Sequence, residues 1–545
     1  MPARTHNGHA LTAEQNEAVD AALELPPVLR IEAFAGSGKT STLAAIATAL
    51  AFEAPDTGSG LYLAFNRAIA DDAQGVFPPT VEARTIHSLA YGAMIRTIPE
   101  MKTRLNTRLT GKNVALLLRT GAWGPFGAPG VGALVLDTLE RFCNSSDAEI
   151  GPQHVPGRVA DRIRVEARTN HPIEMEMLRQ LAARGVTVGD AGLVGPATDA
   201  DRGWYRENRE TIDEIRNPAA AIRAARKHLA GLAAELWDRM QTHPGTPLTH
   251  SAYLKAWALT HPQLPADYVL ADEAQDLNGV MLELLAEQEV PVFFVGDAYQ
   301  EIYGWRGAIN ALELVGGRSC RITQSFRFGQ PIADLATWIL RRDLGADVAI
   351  RGFDPIRSRV VTDGSGGPAD AVLGRSNAAV LNELLLLAEA GHRVFLVGGS
   401  RSFLWLVESL DALLRGRPAT HPDLADFNHW TELKEYVETE SGRDLAAVVK
   451  AVETHGADRL LRALATCPER EADADVVLST AHRAKGRQWP RVRLLGDFRL
   501  RPEDGEERET GTPWSPEESR ITYVAATRGQ LEIDVTACRD LARAA

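Results

Sequence analysis

Cysteine, lysine and long apolar runs are all scarce in this 545-residue chain. No stretch approaches the roughly 18 consecutive apolar residues that a bilayer-spanning helix needs, so no membrane association is expected. The opening Met1-Pro-Ala-Arg-Thr-His lacks the apolar segment of a secretory signal, which predicts an intracellular, cytoplasmic protein. The four cysteines, Cys143, Cys320, Cys467 and Cys538, lie far apart and form no CxxC pair. A disulfide framework and a zinc module are therefore not expected, and a reducing compartment suits the chain. Eight of the 59 basic residues are Lys. Arg enrichment suits bidentate phosphate contacts, yet GC-rich coding produces the same bias and is the simpler account. The net charge of −13 does not steer the chain to nucleic acid, so any such binding must use a local groove.

What is present is ordinary globular material, 45% hydrophobic and 24% charged, close to soluble averages. The length suggests about three to four domains. Residues 27–34 read as a strand before a Gly-rich turn, with a helical pattern from Lys39 to about Leu50. Short apolar runs at 61–65, 267–271 and 292–296 continue a pattern of strands separated by helices, which predicts a parallel α/β sheet. Residues 93–247 are Arg-rich, helical in pattern and without strong strand runs. A second α/β pattern starts near 331, with strands expected at 371–375, 394–398, 475–479, 491–495 and 531–536 and a helical interruption at 402–469.

The sharpest local signal is Ala33-Phe-Ala-Gly36-Ser37-Gly38-Lys39-Thr40-Ser41 between a strand and a helix. That is the context of a phosphate-binding loop, in which backbone N–H groups close around phosphates at a helix N-terminus. Lys39 would reach the β/γ-phosphates, and the Thr40 hydroxyl would ligand Mg²⁺. Ala33 replaces the first glycine of the usual pattern. Further along, Val269-Leu-Ala-Asp272-Glu273-Ala-Gln275-Asp276 ends an apolar strand in acids at the sheet's C-terminal edge. Asp272 would hold Mg²⁺ and Glu273 would accept a proton from the attacking water. Acids at a helix N-terminus would give the same string, and the phosphate loop tips the balance to catalysis.

The order of these and later motifs resembles the superfamily 1 DNA helicases of the UvrD/Rep type, which include the F-box DNA helicases. Leu11-Thr-Ala-Glu-Gln15 is similar to the family's Q motif, whose glutamine reads the adenine edge. Ala64-Phe65-Asn66-Arg67 and Ala83-Arg-Thr85-Ile-His87-Ser88 resemble its first DNA-contacting motifs. Val295-Gly296-Asp297-Ala-Tyr-Gln300-Glu-Ile-Tyr303-Gly304-Trp305-Arg306-Gly307-Ala308 resembles the third motif and Thr323-Gln324-Ser325-Phe326-Arg327 the fourth. Ser479-Thr480-Ala-His482-Arg-Ala-Lys485-Gly486 and Ile521-Thr-Tyr523-Val524-Ala-Ala-Thr527-Arg528 resemble the fifth and sixth. Their colinearity from residue 11 to 528 is more specific than any one motif.

The resemblance implies two RecA-like P-loop NTPase domains with parallel sheets, each interrupted by a mainly helical insertion. Residues 1–92 and 248–330 would form the first and 93–247 its insertion. Residues 331–401 and 470–545 would form the second, with 402–469 as a small insertion. The nucleotide would be held by Gln15, Ala35, Gly36, Ser37, Gly38, Lys39, Thr40, Ser41, Phe326 and Gln488. Catalysis would fall to Lys39, Glu273, a γ-phosphate sensor Gln300, and the charges Arg327 and Arg528 of the second unit. Phe65, Tyr303 and Trp305 would stack bases, while Asn66, Thr85, His87, Arg306 and His482 would contact the strand otherwise.

Departures from the family pattern qualify these roles. Phe326 stands where a Tyr often stacks on adenine, and Gly486-Arg487-Gln488 replaces the usual Gly-Leu-Glu. The second insertion is short, and little sequence follows the sixth motif, so no fused nuclease is expected. The implied activity is that of an ATP- and Mg²⁺-dependent DNA helicase moving 3′→5′ on single-stranded DNA. Its substrates would include single-strand/duplex junctions, its partners replication or repair proteins, and its place the nucleoid when on DNA. Rival readings are a translocase that strips proteins without unwinding, a nucleotide-gated DNA-binding protein, and an RNA helicase.

Overall fold

The computed structural model describes residues 4–544 apart from 7, 8, 65, 99, 108, 190, 191, 305–308, 422, 425, 426, 428, 438–442, 499 and 501–514. Phe65, Trp305 and Arg306, expected to contact DNA, lie outside the described residues.

Two six-stranded sheets carry the fold. The strands of the first are β1 (Val28–Ala33), β2 (Gly60–Leu63), β3 (Val81–Arg84), β4 (Tyr268–Ala271), β5 (Val292–Gly296) and β6 (Arg318–Ile322). They run parallel in the order β6-β1-β5-β4-β2-β3. The second sheet holds β7 (Arg359–Val361), β8 (Ala371–Gly374), β9 (Val394–Leu396), β10 (Val476–Thr480), β11 (Trp489–Leu494) and β12 (Gly529–Asp534). Its order is β7-β12-β11-β8-β10-β9, again all parallel.

The central strands β2, β4, β5, β8 and β10 are buried along their whole length. Parallel sheets covered on both faces require that, which is why these segments read as unbroken apolar runs. Within β5 the side chains still alternate. Phe293 and Val295 pack with the helices Ala13–Leu23 and Lys39–Glu53, whereas Val292 and Phe294 join the core on the other face. The edge strands β3, β6 and β7 were not foreseen. β6 exposes Arg318, Ser319 and Arg321, so its sequence shows no apolar run of core length. Between β3 and β4 the chain is mostly helical, but Thr187–Gly189 and Gly192–Val194 form a short antiparallel hairpin. Between β9 and β10 run helices Arg401–Leu414, Trp430–Val437, Arg443–His455 and Ala457–Ala465.

The two sheets meet through shared apolar packing. Phe34 and Ala35, just past β1, and Ile302, past β5, are buried in one cluster with Phe328, Tyr523, Val524 and the helix Gln330–Leu344. The loop after β1 thus has the second unit at its back.

Candidate functional site

The chain leaves β1 in a tight loop and enters the helix Lys39–Glu53. Gly36 and Gly38 take φ of 75° and 76°, in the left-handed region that favours glycine. Close approach adds a second constraint at Gly36, where a Cβ would lie 2.5 Å from both Arg327 Cβ and Ser325 Oγ. The Phe326 N–H donates to Gly36 O at 2.7 Å, joining the fourth motif to the loop. The Ser37 hydroxyl is buried and has no partner among the described residues. Ser41 lies in the first turn of the helix.

Gln15 and Phe326 flank Gly38, at 3.7 and 3.8 Å from the position a Cβ would take there. Gln15 closes a capping box with Thr12 and donates from Nε2 to Thr42 Oγ1 at 3.1 Å. The half-exposed Phe326 ring meets Phe353 edge-on at 5.4 Å. An apolar face and a fixed amide therefore stand side by side at the mouth of the loop.

Facing the loop, β4 delivers two acids. Asp272 Oδ2 accepts from Thr40 Oγ1 at 2.9 Å and from the Tyr62 hydroxyl at 2.7 Å. Burial pushes the Asp272 carboxyl up, and adjacent Glu273 adds to the shift. Glu273 occupies the left-handed region at φ 50°, a costly conformation for a non-glycine residue. Its Oε2 lies 3.6 Å from Lys39 Nζ and accepts from Gln275 Nε2 at 2.6 Å. Burial opposes ionisation of Glu273, but Lys39 and Lys485 outweigh it and hold the carboxyl below its ordinary range.

Past β5, Asp297 Oδ2 accepts from Gln300 Nε2 at 2.7 Å. Arg528 is 1% exposed and, among the described residues, donates only to neutral oxygens: Val524 O, Arg487 O, Thr527 Oγ1 and, at a longer 3.4 Å, Gln300 Oε1. Arg327 lies between β6 and the helix Gln330–Leu344, on the connector rather than in the second sheet. It reaches the second unit through Gln488 Oε1 at 2.9 Å and Thr527 O at 3.2 Å. Burial and the nearby Arg327 push the Arg528 guanidinium down to about 9. Among the described residues neither arginine has a carboxylate within ion-pair distance. Two like charges close together, one buried and one half-buried, with no carboxylate beside them are unfavourable unless an anion joins them.

Beside this site opens a cavity of about 1000 Å³, lined by Ala64, Thr85, His87, Asp276 and Tyr303 and by residues 137–158 of the helical region. Thr85 caps the helix Ile86–Met94, and Asn66 caps Arg67–Ala73. His87 sits edge-on to Tyr253 at 6.3 Å, and burial with His250 keeps its imidazole below its ordinary range. The Tyr303 hydroxyl donates to His482 O at 3.0 Å.

The family model for the UvrD/REP helicase N-terminal domain matches residues 11–312, from the Gln15 box past the Gln300 loop. The chain belongs to the UvrD/REP helicase family. F-box DNA helicase protein 1 of Schizosaccharomyces pombe is 26% identical over 567 residues, covering 96% of this chain and 57% of that protein. F-box DNA helicase 1 of Gallus gallus is 29% identical over 516 residues, covering 90% of this chain and 45% of the relative. DNA helicase II of Escherichia coli is 31% identical over 191 residues, 28% of this chain and 26% of the relative. The chain spans about half the length of the two F-box relatives.

The two parallel sheets are the RecA-like units of this helicase family, with the Gly36–Lys39 loop on the first. Several residues of the candidate site had no role assigned from sequence. Tyr62 holds Asp272, and Asp276 pairs with Lys485. Glu14 accepts from both Thr323 N–H and Thr323 Oγ1, at 2.8 and 2.7 Å, tying the Gln15 helix to the end of β6. Tyr523 bridges Asp297 and Ala35. Most stood inside or beside recognised motifs, but only spatial proximity identifies what they touch. No helix among the described residues is long and apolar enough to cross a membrane.

Proposed function

We propose that this helicase-family chain is an ATP-dependent DNA helicase that moves 3′→5′ on single-stranded DNA and separates strands at single-strand/duplex junctions. The observation that carries the reading is the pair Arg327 and Arg528. They bring two uncompensated charges to a loop and acid pair contributed by the first unit. A transferring phosphoryl group is the anion that such a pair suits.

In this reading Lys39 binds the β/γ-phosphates, and Glu273, kept ionised by Lys39 and Lys485, takes the proton of the attacking water. Gln300, its amide oriented by Asp297, senses the γ-phosphate. Thr40 and Asp272 form a small oxygen donor pair that fits Mg²⁺, a cation that keeps several waters and uses few protein ligands. Bound there, Mg²⁺ supplies charge neutralisation on the phosphate oxygens. Gln15 and Phe326 hold the base, and Gln488 lies beside Arg327. Because the anion's ligands come from both units, each hydrolysis cycle closes and reopens the interface. Along the cavity, Tyr303 stacks bases and Thr85 and His87 contact the strand; the motifs assign Phe65 and Trp305 to stacking and Asn66, Arg306 and His482 to further strand contacts. The protein is proposed to be cytoplasmic, to join the nucleoid on DNA, and to work with replication or repair proteins.

The deciding measurement is ATP hydrolysis with Mg²⁺, with and without single-stranded DNA and with matched RNA. Stimulation by DNA and not RNA supports the reading, and absence of stimulation by either sinks it in favour of a nucleotide-gated binding protein. Duplexes with 3′ or 5′ tails then test polarity. A protein-coated single strand tests the second reading, stripping without unwinding, which the short helical segment between β9 and β10 favours.

A further inference from the structure

The Tyr523 hydroxyl reaches across the interface to two polar groups of the first unit. It donates to Asp297 Oδ2 at 2.9 Å and accepts from the Ala35 N–H at 3.1 Å. Its ring is fully buried in the cluster that also holds Phe34 and Ala35. A hydroxyl in such surroundings must be satisfied, and both of its partners belong to the unit opposite. When the units part, both bonds break together.

The same carboxylate oxygen accepts from Gln300 Nε2 at 2.7 Å. That contact fixes which end of the amide points away, and Gln300 Oε1 faces Arg528 Nη2 at 3.4 Å. Arg528 in turn donates from Nε to Val524 O, the residue after Tyr523. The bonds therefore make a circuit that starts at the phosphate loop, crosses to Tyr523, returns through Asp297 and Gln300, and crosses again to Arg528. Burial and the Asp297 charge push the Tyr523 phenol well above its ordinary range, so it stays a donor at neutral pH.

Resting on the proposed ATPase function, we propose that Tyr523 is a positioning residue: its hydroxyl couples closure of the two units to the orientation of Gln300. Its effect passes through Asp297.

Tyr523→Phe removes the hydroxyl and keeps the ring. With the full chain and saturating single-stranded DNA, kcat for ATP hydrolysis is expected to fall about tenfold or more, the scale of a lost bond to a charged acceptor. Affinity for a fluorescent ADP analogue should stay within about twofold, because Ala35 N–H faces the phenol. In a Gln300→Ala background the same change should cost nothing further, since both act through one amide. Wild-type kcat in Tyr523→Phe, or losses that multiply in the double variant, would overturn the proposal, the latter indicating packing alone.

Energy transfer between labels on the two units, on addition of a non-hydrolysable ATP analogue, tests the contact without turnover. Tyr523→Phe should need more analogue to close, and closing curves that superimpose overturn the inference. A wild-type chain that closes on the analogue but never hydrolyses ATP counts against the proposed function alone.

Discussion

Lys485 Nζ lies 2.6 Å from Asp276 Oδ1, with both side chains nearly fully buried between the two units. The same ammonium donates to Gln300 O and stands 5.0 Å from the Tyr303 ring centroid. One ion pair therefore contacts the Gln300 loop on one side and the cavity on the other. A buried pair adds little net stability, but removing one partner leaves a costly lone charge. In the proposed function the pair would join the nucleotide site to the groove.

Burial pushes the Asp276 carboxyl up to about 6, with Lys485 only partly opposing it. Between its ordinary value of 3.8 and about 6 the folded chain binds the extra proton, so through this group alone stability falls as pH rises across that window. Activity is expected to move the other way. As pH drops through about 6 the carboxylate is neutralised, the ion pair is lost, and DNA-stimulated hydrolysis declines. A kcat–pH profile of Asp276→Asn should lack that acid limb, and an unchanged limb would assign it to another group.

Lys39→Ala should abolish ATP hydrolysis while single-stranded DNA binding persists, because the lysine contacts Glu273 and lies apart from the cavity lining. Turnover near wild type in a malachite-green phosphate assay would refute the phosphate-loop assignment.

Tyr62→Phe should raise the Mg²⁺ concentration needed for half-maximal hydrolysis by roughly tenfold or more, the range of one hydrogen bond to a charged acceptor. The Tyr62 hydroxyl donates to Asp272 at 2.7 Å and opposes the upward push of burial on that carboxyl. Without it Asp272 holds its proton more tightly against the cation. Mg²⁺ titrations of both hydrolysis and fluorescent nucleotide binding check this, and superimposable titrations contradict it.

Trp305→Ala should weaken binding to single-stranded DNA by roughly tenfold, in the range of one lost base stack, and uncouple hydrolysis from movement. Fluorescence anisotropy with a labelled oligonucleotide measures the first effect and ATP consumed per base translocated the second. If both survive the change, the residue does not stack a base.

Much of the site is legible because its grammar is local. A strand, a loop with glycines at 36 and 38 and a helix from Lys39 can be read along the chain, since left-handed backbone selects glycine at each place. Central strands such as β4 and β5 declare themselves by being apolar on both faces. The edge strands β3, β6 and β7 do not. The exposed Arg318 and Arg321 of β6 suit a strand with one free side and leave no apolar run to read. Asn66 and Thr85, read as DNA contacts, each spend a side-chain oxygen as a helix cap; a backbone contact from either would use its remaining hydrogen-bonding capacity.

Sequence alone determined which chemical groups this helicase-family chain carries and their order, because loop, acids and arginines are fixed by residue type and short spacing. Tertiary structure alone decided what those groups touch. Tyr62 meets Asp272 across 210 residues, Lys485 meets Asp276 across 209, and Tyr523 meets Asp297 across 226. Each hydroxyl or ammonium had many acceptors available in the chain. Burial removes water as a partner and leaves each donor with only the few acceptors that packing has set within reach.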